Sequence, residues 1–220
     1  TLVLGGYIVI GNEAYSGGLN GAGPGYRFGG ELTKLNIFSK ELSAEEVREM
    51  WEGGICSNVE MEHQNSRYIK WEDILTWERT GTVTETDPTG ISCDSDNSPV
   101  ENSQLVVLQF DDDSRSYIER QPDMGPLQDA LSVCAWVKKL QSGSNTIWFD
   151  YAMSTNGDAI TLSDDEYWNT MVNQGTFEYR DMVTVTMGQW HHHCSTWERS
   201  TGRWRVYHDG TMLGERTSPG

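Results

Sequence analysis

Residues Trp190–Gly210, WHHHCSTWERSTGRWRVYHDG, limit this chain more than any other stretch. Trp190–Trp197 and Arg203–Tyr207 are rich in aromatic and β-branched residues, which favour a pleated, half-buried surface. Between them Glu198-Arg-Ser-Thr-Gly202 is polar and ends in Gly, as a four- or five-residue hairpin loop does. Asp209-Gly210 closes the second run with another turn. The stretch carries Cys194, three of the nine Trp and four of the five His. It reads as a β-hairpin.

The same signals recur along the chain. Leu2–Leu4 and Tyr7–Ile10 read as strands, Ser16–Gly25 as a Gly-rich loop, and Leu32–Phe38 as a strand with Leu32, Leu35 and Ile37 facing inward. Tyr68–Trp71 and Ile74–Trp77 are partly extended. Further strands are expected at Leu105–Phe110, Tyr117–Glu119, Leu131–Lys138, Thr146–Tyr151, Ala159–Leu162, Thr176–Tyr179 and Met182–Met187. A period of two shows in Val133, Ala135, Val137 and in Val183, Val185, Met187. One helix is expected, Ala44–Trp51. Ser43 and Glu46 form a capping box, Leu42 and Val47 a hydrophobic staple, and Gly53-Gly54 the stop. Its apolar stripe is Val47, Met50 and Trp51. The fold class that follows is all-β with one short helix.

A length of 220 residues suits one all-β sandwich. The net charge of −17 argues against nucleic acid and anionic membrane as partners, since both need a cationic face. No apolar run reaches the ~18 residues of a membrane span, so membrane insertion is not expected. No signal peptide precedes the first strand, and a secreted chain would have lost one. Cys56, Cys93, Cys134 and Cys194 make an even count without a CxxC pair, which points to disulfides, an oxidising compartment and an extracellular or cell-surface location. No N-x-S/T sequon occurs. Thr80–Ser103 is almost free of large apolar residues and reads as a linker or surface crossover.

Three segments together resemble a pentraxin domain, within the wider laminin-G and concanavalin-like sandwich group. Leu105–Val137 resembles its start, Trp190–Gly210 (W-H-H-x-C-x-x-W, a polar loop, then a strand ending in D-G) its middle, and Ile8–Gly54 its end, with a G-x-E loop, a G-E-L strand and a short helix after L-S-x-E-E. The order is rotated. Residues 1–78 match the C-terminal half, 79–103 form the linker, and 104–220 match the N-terminal half, its own or that of a next copy. Read end to end, HDGTMLGERTSPG runs into TLVLGGYIVIGNE as one continuous passage. A period cut from a tandem array, a circular permutant, and a subunit completed by a neighbour's strands all give this order; the array is the favoured reading.

The family resemblance, carried by residues 8–54, 105–137 and 190–210, implies a two-sheet antiparallel jelly-roll sandwich. It also implies a Cys134–Cys194 disulfide between adjacent strands. Cys56 and Cys93 lie outside the family's pattern. Their simplest pairing staples the linker to the end of the helix region; other connectivities and a bridge between copies stay open. The family's calcium loop is degraded here: Gly11-Asn12-Glu13 keeps Glu13, but Tyr15 stands where the second carboxylate belongs. Glu13, Asn156 and Asp158 are the calcium candidates, a thin set for an ion that takes six to eight oxygens. Asp111–Asp113 and Asp164–Glu166 read as solvated acidic turns. Along one strand His191 and His193 face one way and His192 the other, so these three do not converge on one ion. No E-x-D-x-x-E strand and no G-x-S-x-G elbow occurs, which argues against an enzyme. Two functions are therefore expected in turn. The first is an extracellular structural or adhesive unit whose partners are copies of itself. The second is a calcium-dependent lectin that binds glycans.

Overall fold

A computed structural model describes residues 7–12, 27–57, 66–86, 105–111, 116–121, 129–141, 146–153, 157–164, 167–172 and 177–217. Two antiparallel sheets pack face to face, the jelly-roll arrangement expected. Strands are numbered in chain order. The first sheet runs, in space, Phe177–Thr184 (β12), Tyr167–Val172 (β11), Gly157–Asp164 (β10), Ile147–Met153 (β9), Tyr7–Ile10 (β1), Tyr117–Arg120 (β7) and Glu78–Thr80 (β4). The second runs Thr211–Thr217 (β15), Arg203–His208 (β14), Trp190–Glu198 (β13), Ala130–Lys139 (β8), Gly30–Phe38 (β2), Val107–Phe110 (β6) and Val83–Thr86 (β5), with Arg67–Ile69 (β3) pairing on β2.

Period-two patterning explains which face is buried. Leu131, Val133, Ala135 and Val137 of β8 meet Ile8 and Ile10 of β1, Ile118 of β7 and Phe149 and Tyr151 of β9 in one apolar layer between the sheets. β2 departs from strict alternation. Lys34 has φ 51°, and the β2–β8 register shifts between Thr33 and Asn36. This bulge lets Leu32, Leu35 and Ile37 all reach the core. Gly11, with φ 91°, ends β1 where a Cβ would stand 2.5 Å from the Phe110 ring. Its N–H donates to the Trp148 carbonyl, and its own carbonyl accepts from the Phe28 N–H.

Ala44–Gly53 (α1) caps the outer side of the second sheet. Glu46 N–H donates to Ser43 Oγ and Ser43 N–H to Glu46 Oε2, which completes the capping box. Leu42, Val47 and Met50 pack on Phe38, Cys134, Cys194 and Tyr207. Ser132 Oγ ties the lead-in down by accepting from Leu42 N–H and donating to the Lys40 carbonyl. Replacing Ser43 by Ala removes a cap and should lower stability by about 1 kcal/mol, read from thermal unfolding. An unchanged melting temperature would mean that the staple, not the cap, sets this helix start.

Several expectations are corrected. Trp51 is not part of the buried stripe; it is 39% exposed, with its ring over Gly210. Trp71–Ile74 (α2) is a helical turn rather than extended chain. Val83–Thr86, within the expected linker, is a strand on β6. One strand, Phe177–Thr184, replaces the two expected between 176 and 187, and Met187 is 46% exposed at a turn. Tyr167–Val172 was not anticipated. Asp164 is not solvated: it is fully buried, ion-paired with Lys139 at 3.7 Å, and hydrogen-bonded by Thr146. A buried carboxylate needs such partners, and here they tie the ends of β8 and β10, one from each sheet.

Candidate functional site

Cys134 and Cys194 sit directly opposite each other in the β8–β13 register and are joined. Cys56 is also disulfide-bonded, and Cys93 lies outside the described residues. Of the calcium candidates, Glu13 and Asn156 lie outside the described residues, as does the side chain of Asp158. The backbone of Asp158 pairs with Ala152, which on its other side pairs with Tyr7. That level lies three residues, or roughly 10 Å, along β1 from Ile10, the strand's last residue before the Glu13 loop.

The described acids include a cross-strand pair, Glu78 on β4 and Glu119 on β7. Burial, and then the facing Glu78 charge, raise the Glu119 pKa. Asp150 lies in the same row across β1, fully buried, and accepts from Thr161 Oγ1 at 3.0 Å. These carboxylates sit on separate strands rather than along one.

The β13–β14 hairpin holds a denser constellation. His193 turns between the sheets, edge-on to Trp148 of β9 with ring centroids 5.6 Å apart. His192 turns outward onto Trp136 of β8 at 5.3 Å. By alternation His191 shares the face of His193. The hairpin register sets His208 opposite His193, so three imidazoles share one side. His191 and His208 have ring centroids 4.8 Å apart. Asp209 follows β14 in the left-handed region at φ 46°. Its Oδ2 lies 2.9 Å from His191 Nδ1 and 3.3 Å from His208 Nε2. Its Oδ1 accepts from the His192 N–H, and its own N–H donates to the His192 carbonyl, both at 2.8 Å.

Burial dominates the electrostatics. It lowers the pKa of His193 to about 3, helped by His208 and His192 and opposed by Asp209. Burial likewise brings His192 and His208 to about 4, with Asp209 opposing. For Asp209 burial alone would raise the pKa, but hydrogen bonds from His191 and the His192 amide carry it below the usual carboxylate value. His192, His193 and His208 are therefore neutral at pH 7 beside an ionised carboxylate. A reading along one strand finds His191–His193 and misses His208 and Asp209. Only the hairpin register brings them together; the available signal was the H-D-G ending of β14.

Residues 112–220 match the laminin G family described as the concanavalin A-like lectin/glucanases superfamily. With the two-sheet sandwich, this places that segment in the superfamily: a pentraxin/laminin-G-like lectin-fold domain. Among curated relatives, neuronal pentraxin-2 of Mus musculus and of Homo sapiens are each 30% identical over 89 residues, 39% of this chain and 20% of the relative. The sushi, von Willebrand factor type A, EGF and pentraxin domain-containing protein 1 of Rattus norvegicus is 32% identical over 93 residues, 42% of this chain and 3% of the relative. The chain thus spans about a fifth of the length of the neuronal pentraxins it matches. No solved structure matches significantly. Among the described residues, no helix is long and apolar enough to cross a membrane.

Proposed function

We propose that this chain is an extracellular, pentraxin-like structural unit that assembles with copies of itself into a filament or other homopolymer. The observation that carries the reading is where Tyr7–Ile10 and Gly30–Phe38 lie. β1 fills the slot between β7 and β9, and β2 the slot between β6 and β8. Segment 112–220 supplies five of the seven strands of the first sheet and four of the eight of the second, yet each sheet is continuous only with a strand from far upstream. Thr86 of β5 pairs directly with Val107 of β6. Antiparallel neighbours of that kind need a loop of only two to five residues. The 20 residues 87–106 that join them reach up to ~70 Å when extended. That length lets the block β1–β5 sit in its own sandwich or in a neighbour's with the same pairings, so that covalent chain links successive units. The disulfide-bonded Cys134, Cys194 and Cys56 fit an oxidising exterior.

Light scattering on the purified chain tests this, with calcium and then with EDTA. Particles that are multiples of 24.8 kDa, mixed in length and unchanged by EDTA, are expected. A uniform 24.8 kDa species or a single small ring overturns the filament.

One observation favours a second reading, a calcium-dependent glycan-binding module. A cleft of about 270 Å³ opens beside β5 and β6, lined by Thr82, Thr84, Gln109, Asp111 and Gln141 among others. Hydroxyl, amide and carboxylate groups of this kind bond sugars. Glycan-array signal that disappears in EDTA would support it.

A further inference from the structure

We propose that His191, His208 and Asp209 form a binding site for a divalent transition metal of the zinc, copper or nickel class, on the inter-sheet side of the β13–β14 hairpin. Two imidazole nitrogens and one carboxylate oxygen are the ligand set such ions prefer. The three ligand atoms all lie within 4.8 Å of one another. In a tetrahedral site with bonds of ~2.0 Å, ligand atoms stand about 3.3 Å apart. The 2.9 Å and 3.3 Å separations from Asp209 Oδ2 to the two imidazoles are already of that size. The third needs to contract by about 1.5 Å at most, which small side-chain rotations supply.

The backbone holds this arrangement in place. Asp209 Oδ1 is taken by the His192 N–H, so Oδ2 is the oxygen presented to the imidazoles. Asp209 is itself tied back to the His192 carbonyl. Gly210 follows with φ 71°, and a Cβ there would stand 2.8 Å from the Trp51 ring, so the turn is clamped under α1. A hydrogen-bonded ligand of fixed orientation is what a metal site needs around it. Access is from the carboxylate side: the Asp209 side chain is 31% exposed, against 6% for His208. A water completes the fourth position there. With one carboxylate oxygen presented and two nitrogens beside it, the site discriminates against calcium, which takes six to eight oxygens.

The test uses the full chain, stripped with EDTA and desalted. Titration calorimetry should show one zinc per chain, not displaced by excess calcium. Cobalt should give the visible absorption of a low-coordinate nitrogen/oxygen site. Asp209→Asn and His208→Gln should each weaken zinc binding at least tenfold, while His63→Gln, at the histidine outside the hairpin, changes nothing. Circular dichroism in EDTA establishes that each variant is folded. If either misfolds, zinc-edge X-ray absorption on the unmodified chain decides without variants, since two imidazoles per zinc are required. Absence of the cobalt spectrum, a zinc shell without imidazole, or full zinc binding by both folded variants overturns the proposal.

Discussion

Replacing Cys134 and Cys194 together by Ala should lower stability by about 4 kcal/mol, a melting-temperature drop on the order of 10 °C for a domain of this size. The two residues are 60 apart in sequence. Joining them removes the conformations that a loop of this length explores in the unfolded chain. In the fold the bond adds no new proximity, because β8 and β13 already bring these residues opposite each other. Its effect therefore falls on the unfolded state. It also lies in the small cluster of Phe38, Leu42, Val47, Met50 and Tyr207 beneath α1. Urea unfolding of the double variant measures the loss. A change under 1 kcal/mol would show that repacking beneath α1 compensates. Burial adds a kinetic expectation: with Cys194 fully buried and Cys134 only 3% exposed, dithiothreitol should reduce this bond far faster in urea than in the native protein.

Acid should destabilise the fold well above the range where ordinary carboxylates titrate. His192 and His208, at about 4, and His193, at about 3, are neutral in the fold well below the 6.5 at which an exposed histidine protonates. Below pH 6.5 the unfolded chain therefore binds protons that the folded chain refuses. Stability is fully present above pH 6.5 and is lost progressively as pH falls toward 4 and then 3. Each site contributes on the order of 3 kcal/mol across that interval. Asp209 acts at the low end with the same sign, since its lowered pKa gives stability that disappears when it is protonated. Groups facing these histidines are His191, Asp209 and the rings of Trp136 and Trp148. Denaturant midpoints measured in EDTA from pH 8 to pH 4 read the effect. The midpoint should fall steadily below pH 6.5, and His193→Phe should flatten that slope. A flat profile down to pH 5 would contradict the burial seen here.

Local rules made much of the fold legible. Alternation at Val133, Ala135 and Val137 fixed the inner face of β8, and Ser43 with Glu46 fixed the start of α1. The Cys134–Cys194 pairing was available only through the family resemblance. What stayed hidden depended on length or on distant pairing. Trp71–Ile74 is one turn long, too short for a 3.6-residue period to show. Val83–Thr86 alternates weakly among Thr residues and is a strand because β6 accepts it at the sheet edge. Val47 and Trp51 share a helical face, yet Trp51 lies over the turn at Gly210 rather than over a strand, which leaves it 39% exposed. Asp164 gave the signature of a solvated turn, and only its contact with Lys139 on the other sheet explains its burial. The His–Asp cluster failed to show for the same reason: its members are neighbours across strands, not along one.

The placement of β1 also has a kinetic consequence during synthesis. Ile10 pairs with Phe149, 139 residues further along the chain. At 5–20 residues per second a ribosome needs on the order of ten seconds to supply that partner. For much of that interval Tyr7–Ile10 and Gly30–Phe38, both interior strands of the finished sheets, lack most of their partners, and the β9 edge of Tyr7–Ile10 stays open to its end. Nascent chains are thus most prone to off-pathway association before β9 emerges, and co-translational chaperone binding should be concentrated in that window.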